Sequence, residues 1–210
     1  MRLDLMNPHV MRIVIAARPE DSISAISKRI DLSYGWTYRW VLELEKAGVF
    51  KRVGKGLILN GKNRFYSQLL GFLRAALGND VSFHYNVLGL FGVKYCFTAT
   101  DAVLVWTDGG YNIARSREYY PVFIKVRASD RNVFDFYVKK LKVYGNVFYK
   151  PEYLDDFHVS VHRGTPVDSL DDTIAFMRKY VYNFEPALEM VQEMYGKRLG
   201  VKYKESRLNA

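Results

Sequence analysis

Apolar positions recur at helical spacing through the first third of the chain and then give way to a mixture of periods. Pro8 precedes the run Val10-Met11-Arg12-Ile13-Val14-Ile15-Ala16-Ala17 and Arg18-Pro19 follows it, which predicts a helix entered at one proline and stopped before the other. Asp21 or Ser22 can cap a second helix, in which Ile23, Ile26 and Ile30 form one buried stripe and Ser24, Ser27, Lys28 and Arg29 stay outside. Ser33 caps a third helix through about Ala47, closed by Gly48 where a left-handed residue is wanted. A buried stripe of Tyr38, Val41 and Leu44 turns Ser33, Tyr34, Trp36, Thr37, Arg39 and Trp40 partly toward solvent. Two short strands around Gly54-Lys55-Gly56 then predict a hairpin with a basic end.

After the polar break Asn60-Gly61-Lys62-Asn63, the apolar residues from Phe65 to Leu77 predict a helix ending at Gly78-Asn79-Asp80. Its broad apolar face suits dimerisation or packing on the chain's own second domain. From His84 onward the period mixes. Strands are expected at Tyr95-Cys96-Phe97, from Tyr120 to Val126, from Asn146 to Tyr149 and from Phe157 to His162. Helices are expected over Asp101 to Trp106 behind Thr98 or Thr100, from Asp130 to Leu141 with Gly145 as the stop, behind Ser169, and from Pro186 to about Leu199. The fold class is α+β, organised as an N-terminal domain over 1–62, a linker helix over 63–80 and a mixed α/β domain over 81–210.

Of 210 residues, 49% are hydrophobic and 15% aromatic, which excludes disorder as a description of the whole chain. Lys and Arg number 31 against 22 Asp and Glu, for a net charge of +9. Residues 1–76 hold 13 of the cations and 6 of the anions, so +7 of the excess sits in the first third. That asymmetry locates any polyanion contact in the N-terminal part, and a solvated basic face remains the alternative on composition alone. The single cysteine, Cys96, forms no internal disulfide and no thiol cluster for zinc, so a reducing, cytoplasmic setting is expected. Neither a signal peptide nor a membrane span is expected.

No catalytic constellation, metal site or cofactor motif emerges. His158 and His162 lie four apart on an expected strand without a third ligand, and His9 and His84 stand alone. Asp155-Asp156 and Asp171-Asp172 are adjacent and diverge, while Asp101 and Asp108 lack the Asp-x-Asp spacing that holds magnesium for nucleotidyl transfer. Gly109-Gly110 is not followed by the lysine of a phosphate-binding loop.

Leu32-Ser33 with Thr37, then Leu44-Glu45-Lys46-Ala47-Gly48-Val49 and Lys51-Arg52-Val53-Gly54-Lys55-Gly56, resemble the winged helix-turn-helix of prokaryotic transcription regulators over about residues 8–60. The resemblance implies that the third helix enters the major groove of double-stranded DNA. Ser33, Thr37 and Arg39 would contact phosphate or base edges, Arg39 forking onto a guanine, with Tyr34, Trp36 and Trp40 on the same surface. Lys28, Arg29, Lys51, Arg52 and Lys55 would neutralise phosphates. For Trp36 and Trp40 the alternative is burial, and for the hairpin lysines plain solvation.

The stretch from Tyr95 to Leu104, the strands after it and Gly164-Thr165-Pro166-Val167-Asp168-Ser169-Leu170-Asp171-Asp172-Thr173-Ile174 resemble the C-terminal half of AbiEi-type antitoxins, with Asp172 where that family commonly has an arginine. This second resemblance implies a DNA-binding autorepressor functionally paired with a nucleotidyltransferase toxin that it need not touch; a DNA-binding regulator of this kind is expected to be a homodimer. Two other readings stand beside it. One is a nucleic-acid-processing enzyme of nucleotidyltransferase-like type anchored by a winged helix; the other is a protein-interaction module.

Overall fold

A computed structural model describes residues 7–113, 115–116 and 118–201. In chain order its elements are α1 (Pro8–Ala16), β1 (Glu20–Asp21), α2 (Ile23–Arg29), α3 (Tyr34–Lys46), β2 (Phe50–Val53), β3 (Gly56–Leu59), α4 (Arg64–Asn79) and α5 (Val81–Leu88). There follow β4 (Tyr95–Phe97), α6 (Ala99–Trp106), β5 (Tyr120–Arg127), α7 (Arg131–Leu141), β6 (Val147–Leu154), β7 (Ser160–His162), β8 (Thr165–Val167), α8 (Leu170–Lys179) and α9 (Val181–Tyr195). This is an α+β chain in two compact units. Unit 1 takes the described residues of Met1–Val93 and Asn132–Gly145, and unit 2 those of Lys94–Arg131 and Asn146–Ala210.

Unit 1 begins with local signals that act where the sequence puts them. Asn7 caps α1 by accepting from the His9 and Val10 N–H groups at 2.9 and 3.2 Å, with Pro8 at the first helical position. Ser22, not Asp21, caps α2. Ile23, Ile26 and Ile30 are buried, as their spacing predicts. Gly48 ends α3 at φ +73°, a backbone state that favours glycine. The hairpin of β2 and β3 closes with Val53 opposite Gly56, so Gly54-Lys55 is a two-residue turn. β1, too short to read from sequence, adds to the far side of β3 with Glu20 opposite Ile58, giving the antiparallel order β1-β3-β2.

Residues 63–80, expected as a linker helix, lie within unit 1, where α4 packs on α1 and on α5. α5 escaped the periodicity reading, although Asp80 accepts from the Ser82 N–H and so caps it.

The segment 132–145 is built into unit 1 by polar groups that meet the C-terminal carbonyls of α1. Lys140 Nζ donates to the carbonyls of Val14, Ile15 and Ala17 at 2.7, 2.8 and 2.6 Å, and Tyr137 Oη donates to that of Ala16. These are the acceptors a helix end leaves without intrahelical partners. Tyr137 stacks on Phe91 at 4.6 Å.

Unit 2 is a five-stranded sheet in the order β6-β5-β4-β8-β7. β5 and β6 run parallel through eight pairs, from Tyr120 opposite Val147 to Arg127 opposite Leu154, so β6 extends well past the expected end at Tyr149. α7 forms the connection between them, the route that parallel neighbours require. The strand expected from Phe157 begins only at Ser160, and β8 pairs where no strand is expected from sequence. Pro166 is tolerated in β8 because β4 pairs it only through Val167, and Pro166 faces Val161 one place from the closing pair of the β7–β8 hairpin.

Pro186, expected to open the last helix, does not, since α9 begins at Val181. It lies inside α9, where the donor it lacks would have met the carbonyl of Tyr182, a residue 99% exposed. α6, α8 and α9 share a core of Val103, Ile174, Met177, Phe184, Ala187, Leu188 and Val191. Among the described residues no helix is long and apolar enough to cross a membrane.

Candidate nucleic-acid interface

The first two turns of α3 present an outward face that follows from where its buried stripe lies. Thr37, Trp40, Val41 and Leu44 face inward, a stripe set one residue off the expected Tyr38-Val41-Leu44. Tyr38 therefore turns out, 37% exposed, beside Tyr34 at 55% and Trp36 at 46%. Arg39 is exposed as well. Between them Gly35 leaves a gap, since a Cβ there would meet no atom within 4 Å.

Two residues expected on that surface are withdrawn from it. Thr37 is fully buried and its Oγ1 donates to the Ser33 carbonyl at 3.0 Å, which leaves it no reach to a ligand. Trp40 is 4% exposed, so the burial alternative holds for it and not for Trp36. The spacing of 37, 40, 41 and 44 carried this signal, because threonine is small enough to sit on an apolar stripe once its hydroxyl bonds the backbone. Ser33 is exposed, with its Oγ accepting from the Trp36 N–H at 3.4 Å as the α3 cap.

The outward rings are held rather than loose. Tyr34 and Tyr38 stack with centroids 6.1 Å apart and planes 24° apart. Trp36 lies 6.0 Å from the His9 ring, and the Arg39 guanidinium lies 5.7 Å from the Trp36 centroid. Arg52 reaches from β2 to 5.7 Å above the Tyr38 ring while donating to both carboxylate oxygens of Glu45 at 3.0 and 2.8 Å. That bidentate hydrogen bond raises the Arg52 pKa and uses its fork. Arg52 is thus a tie between α3 and the hairpin more than a free phosphate ligand. Its partner is Glu45, which the sequence marks only as part of the helix-ending motif.

The cations divide in the same way. Lys28, Lys51 and Lys55 are exposed, Lys55 at the hairpin turn. Arg29 is not available: its side chain is 8% exposed and ion-paired with Asp21, itself 3% exposed. Asp21 also accepts from the Arg18 and Ser22 N–H groups, so this pair organises the entry to α2. A cation one residue beyond Lys28 gives no sign in sequence that it turns inward.

Unit 2 holds a separate pocket of about 840 Å³ with a mixed lining, bordered by Phe123, Lys125, Tyr149, Glu152, Asp168 and Phe176 among others. Lys125 Nζ donates to both oxygens of Asp168 at 2.9 Å, and Thr98 Oγ1 and Cys96 Sγ donate to the same carboxylate. Burial pulls the Lys125 pKa down, but Asp168 outweighs it and the net shift is upward. Burial, then the Asp168 charge, pushes the Cys96 thiol far up, which leaves it inert. These residues come from β4, β5 and the end of β8, and no local pattern unites them.

Asp101 is a buried structural anion, accepting from Arg115 and from the Phe123 N–H, each at 2.7 Å. His162 bonds Asp108 at 2.8 Å. Among the described residues no group of three or more His, Cys, Asp or Glu is placed to hold a metal ion. No protein-family model, curated protein or solved structure matches the chain.

Proposed function

We propose that unit 1 is a winged helix-turn-helix that binds double-stranded DNA, and that the chain is a sequence-specific transcriptional regulator. One observation carries the reading. The order α1-β1-α2-α3-β2-β3, with the sheet ordered β1-β3-β2, joins a glycine-turned hairpin bearing exposed Lys51 and Lys55 to α3, whose first turns are exposed. A helix with a solvent-facing N-terminal half fits the major groove, and a cationic hairpin suits the phosphates beside it. The excess of +7 over residues 1–76 agrees with that assignment.

In this reading Arg39 contacts base edges, Lys28, Lys51 and Lys55 contact phosphate, and Tyr34, Trp36 and Tyr38 line the groove. Unit 2 dimerises, senses or restrains a partner. The likeness to AbiEi-type antitoxins adds autorepression and functional pairing with a nucleotidyltransferase toxin.

Mobility shifts with the upstream region of the chain's own gene test the proposal. Binding at low salt is expected, with Arg39→Ala relaxing discrimination between sequences and Lys55→Ala weakening all duplexes alike. Absence of a shift at low salt, or a shift unchanged in the double variant, would overturn it.

A further inference from the structure

We infer that the aromatic face of α3 reads the C5-methyl groups of pyrimidines in the major groove, so that the target is specified by methyl-bearing pyrimidines around a guanine. The inference rests on the winged-helix reading above and names what that helix recognises.

From Tyr34 to Leu42 the helix carries no Asn, Gln, Asp or Glu, the side chains that pair with adenine or accept from cytosine. Arg39 is the one cation in that stretch and suits guanine. Farther along, Glu43 is engaged by Lys46 at 2.9 Å and Glu45 by Arg52. What remains outward is ring surface, from Tyr34, Trp36 and Tyr38. The apolar group that the major groove offers to such a surface is the pyrimidine C5-methyl, borne by thymine or by 5-methylcytosine.

The rings are arranged for edge contact rather than for stacking on unpaired bases. Tyr34 and Tyr38 cover one another, Arg52 lies over Tyr38, and His9 and Arg39 flank Trp36. Single-strand binding stacks bases on open ring faces, and neighbours take up part of the faces of Tyr38 and Trp36. Their fixed positions also reduce the ordering cost on binding. Gly35, with no neighbour within 4 Å of a Cβ, lets the helix backbone approach the groove floor. Exposed Lys28, Lys51 and Lys55 provide the charge that holds duplex DNA against this face.

The test selects bound duplexes from a randomised pool with the full chain, then replaces each thymine by deoxyuracil, which removes the methyl and keeps the pairing. Affinity is expected to fall about fourfold per contacted methyl. A second arm compares cytosine with 5-methylcytosine at the same positions; gain there, without loss in the uracil arm, identifies methylated cytosine as the source. Trp36→Ala and Tyr38→Ala are expected to weaken binding to the thymine duplex and to leave the uracil duplex unchanged, an asymmetry that misfolding would not produce. Duplex binding indifferent to methyl groups in both arms overturns this inference and leaves the winged-helix reading standing. Tighter binding to single strands than to duplex also overturns it. No duplex binding at all removes both.

Discussion

The guanidinium of Arg29 is neutralised by Asp21 inside unit 1, whereas that of Arg39 lies on the Trp36 ring at the surface. The same side chain is tied into the fold in one case and left at the surface in the other, and only burial tells them apart. Gly35 offers a test at this scale. Alanine there meets no steric obstacle and is expected to stabilise α3 by about 0.5–1 kcal/mol in urea unfolding, while lowering duplex affinity if the backbone meets the groove. A stabilised variant with undiminished DNA binding would count against close approach at Gly35. His84 sets a pH dependence. It is 1% exposed on α5, its Nε2 lies 2.6 Å from the Leu77 carbonyl, and burial holds its pKa below the usual 6.5. The unfolded chain therefore takes the proton first as pH falls, and stability is lost as pH drops through 6.5 toward the folded value. Urea midpoints are expected to be lower at about pH 5 than at about pH 7.5, and His84→Gln is expected to flatten that difference. An equal slope in the variant would assign the dependence elsewhere.

At the scale of elements, α3 and the β2–β3 hairpin form one surface because Arg52 bridges them to Glu45 and lies over Tyr38. The hairpin's free cations are then Lys51 and Lys55. Replacing both by alanine is expected to reduce the slope of log affinity against log salt by about 2, the loss of two phosphate contacts, with little effect on which sequences bind. An unchanged slope would remove the hairpin from the contact. The caps at Ser22, Ser33 and Ser169 were legible because each acts within three residues of its own position. The buried stripe of α3 includes Thr37 in place of Tyr38 because the two have similar claims to an apolar position until the neighbours are known. β1 and β8 escaped for a different reason: a strand of two or three residues is defined by its partner, β3 in one case and β4 with β7 in the other.

For the molecule as a whole, unit 1 is assembled from two segments that are far apart in sequence. Lys140, 9% exposed, joins them through three carbonyls of α1 and its cap. Burial, then Arg29, pulls its pKa down to about 7, whereas three acceptors at the negative end of α1 favour the ammonium, which has three donors. Lys140→Met keeps the stem and leaves those carbonyls without partners, and is expected to lower unfolding free energy by about 3 kcal/mol. A variant as stable as the parent would show that the α1 end is satisfied without it. Boundaries expected near 62 and 80 could not anticipate this division, because α7 lies between two strands of unit 2 in the chain.

The sequence by itself determined the helices with strong stripes and caps, the hairpin turn, the α+β class and the concentration of positive charge in the first third. These depend on neighbours a few residues apart or on composition alone. Tertiary structure decided which cations stay free, which tryptophan is exposed, how Asp168 meets Lys125, and that α7 completes unit 1. Each of those turns on contacts between distant residues, whose pairing is fixed by packing and leaves no local period to read.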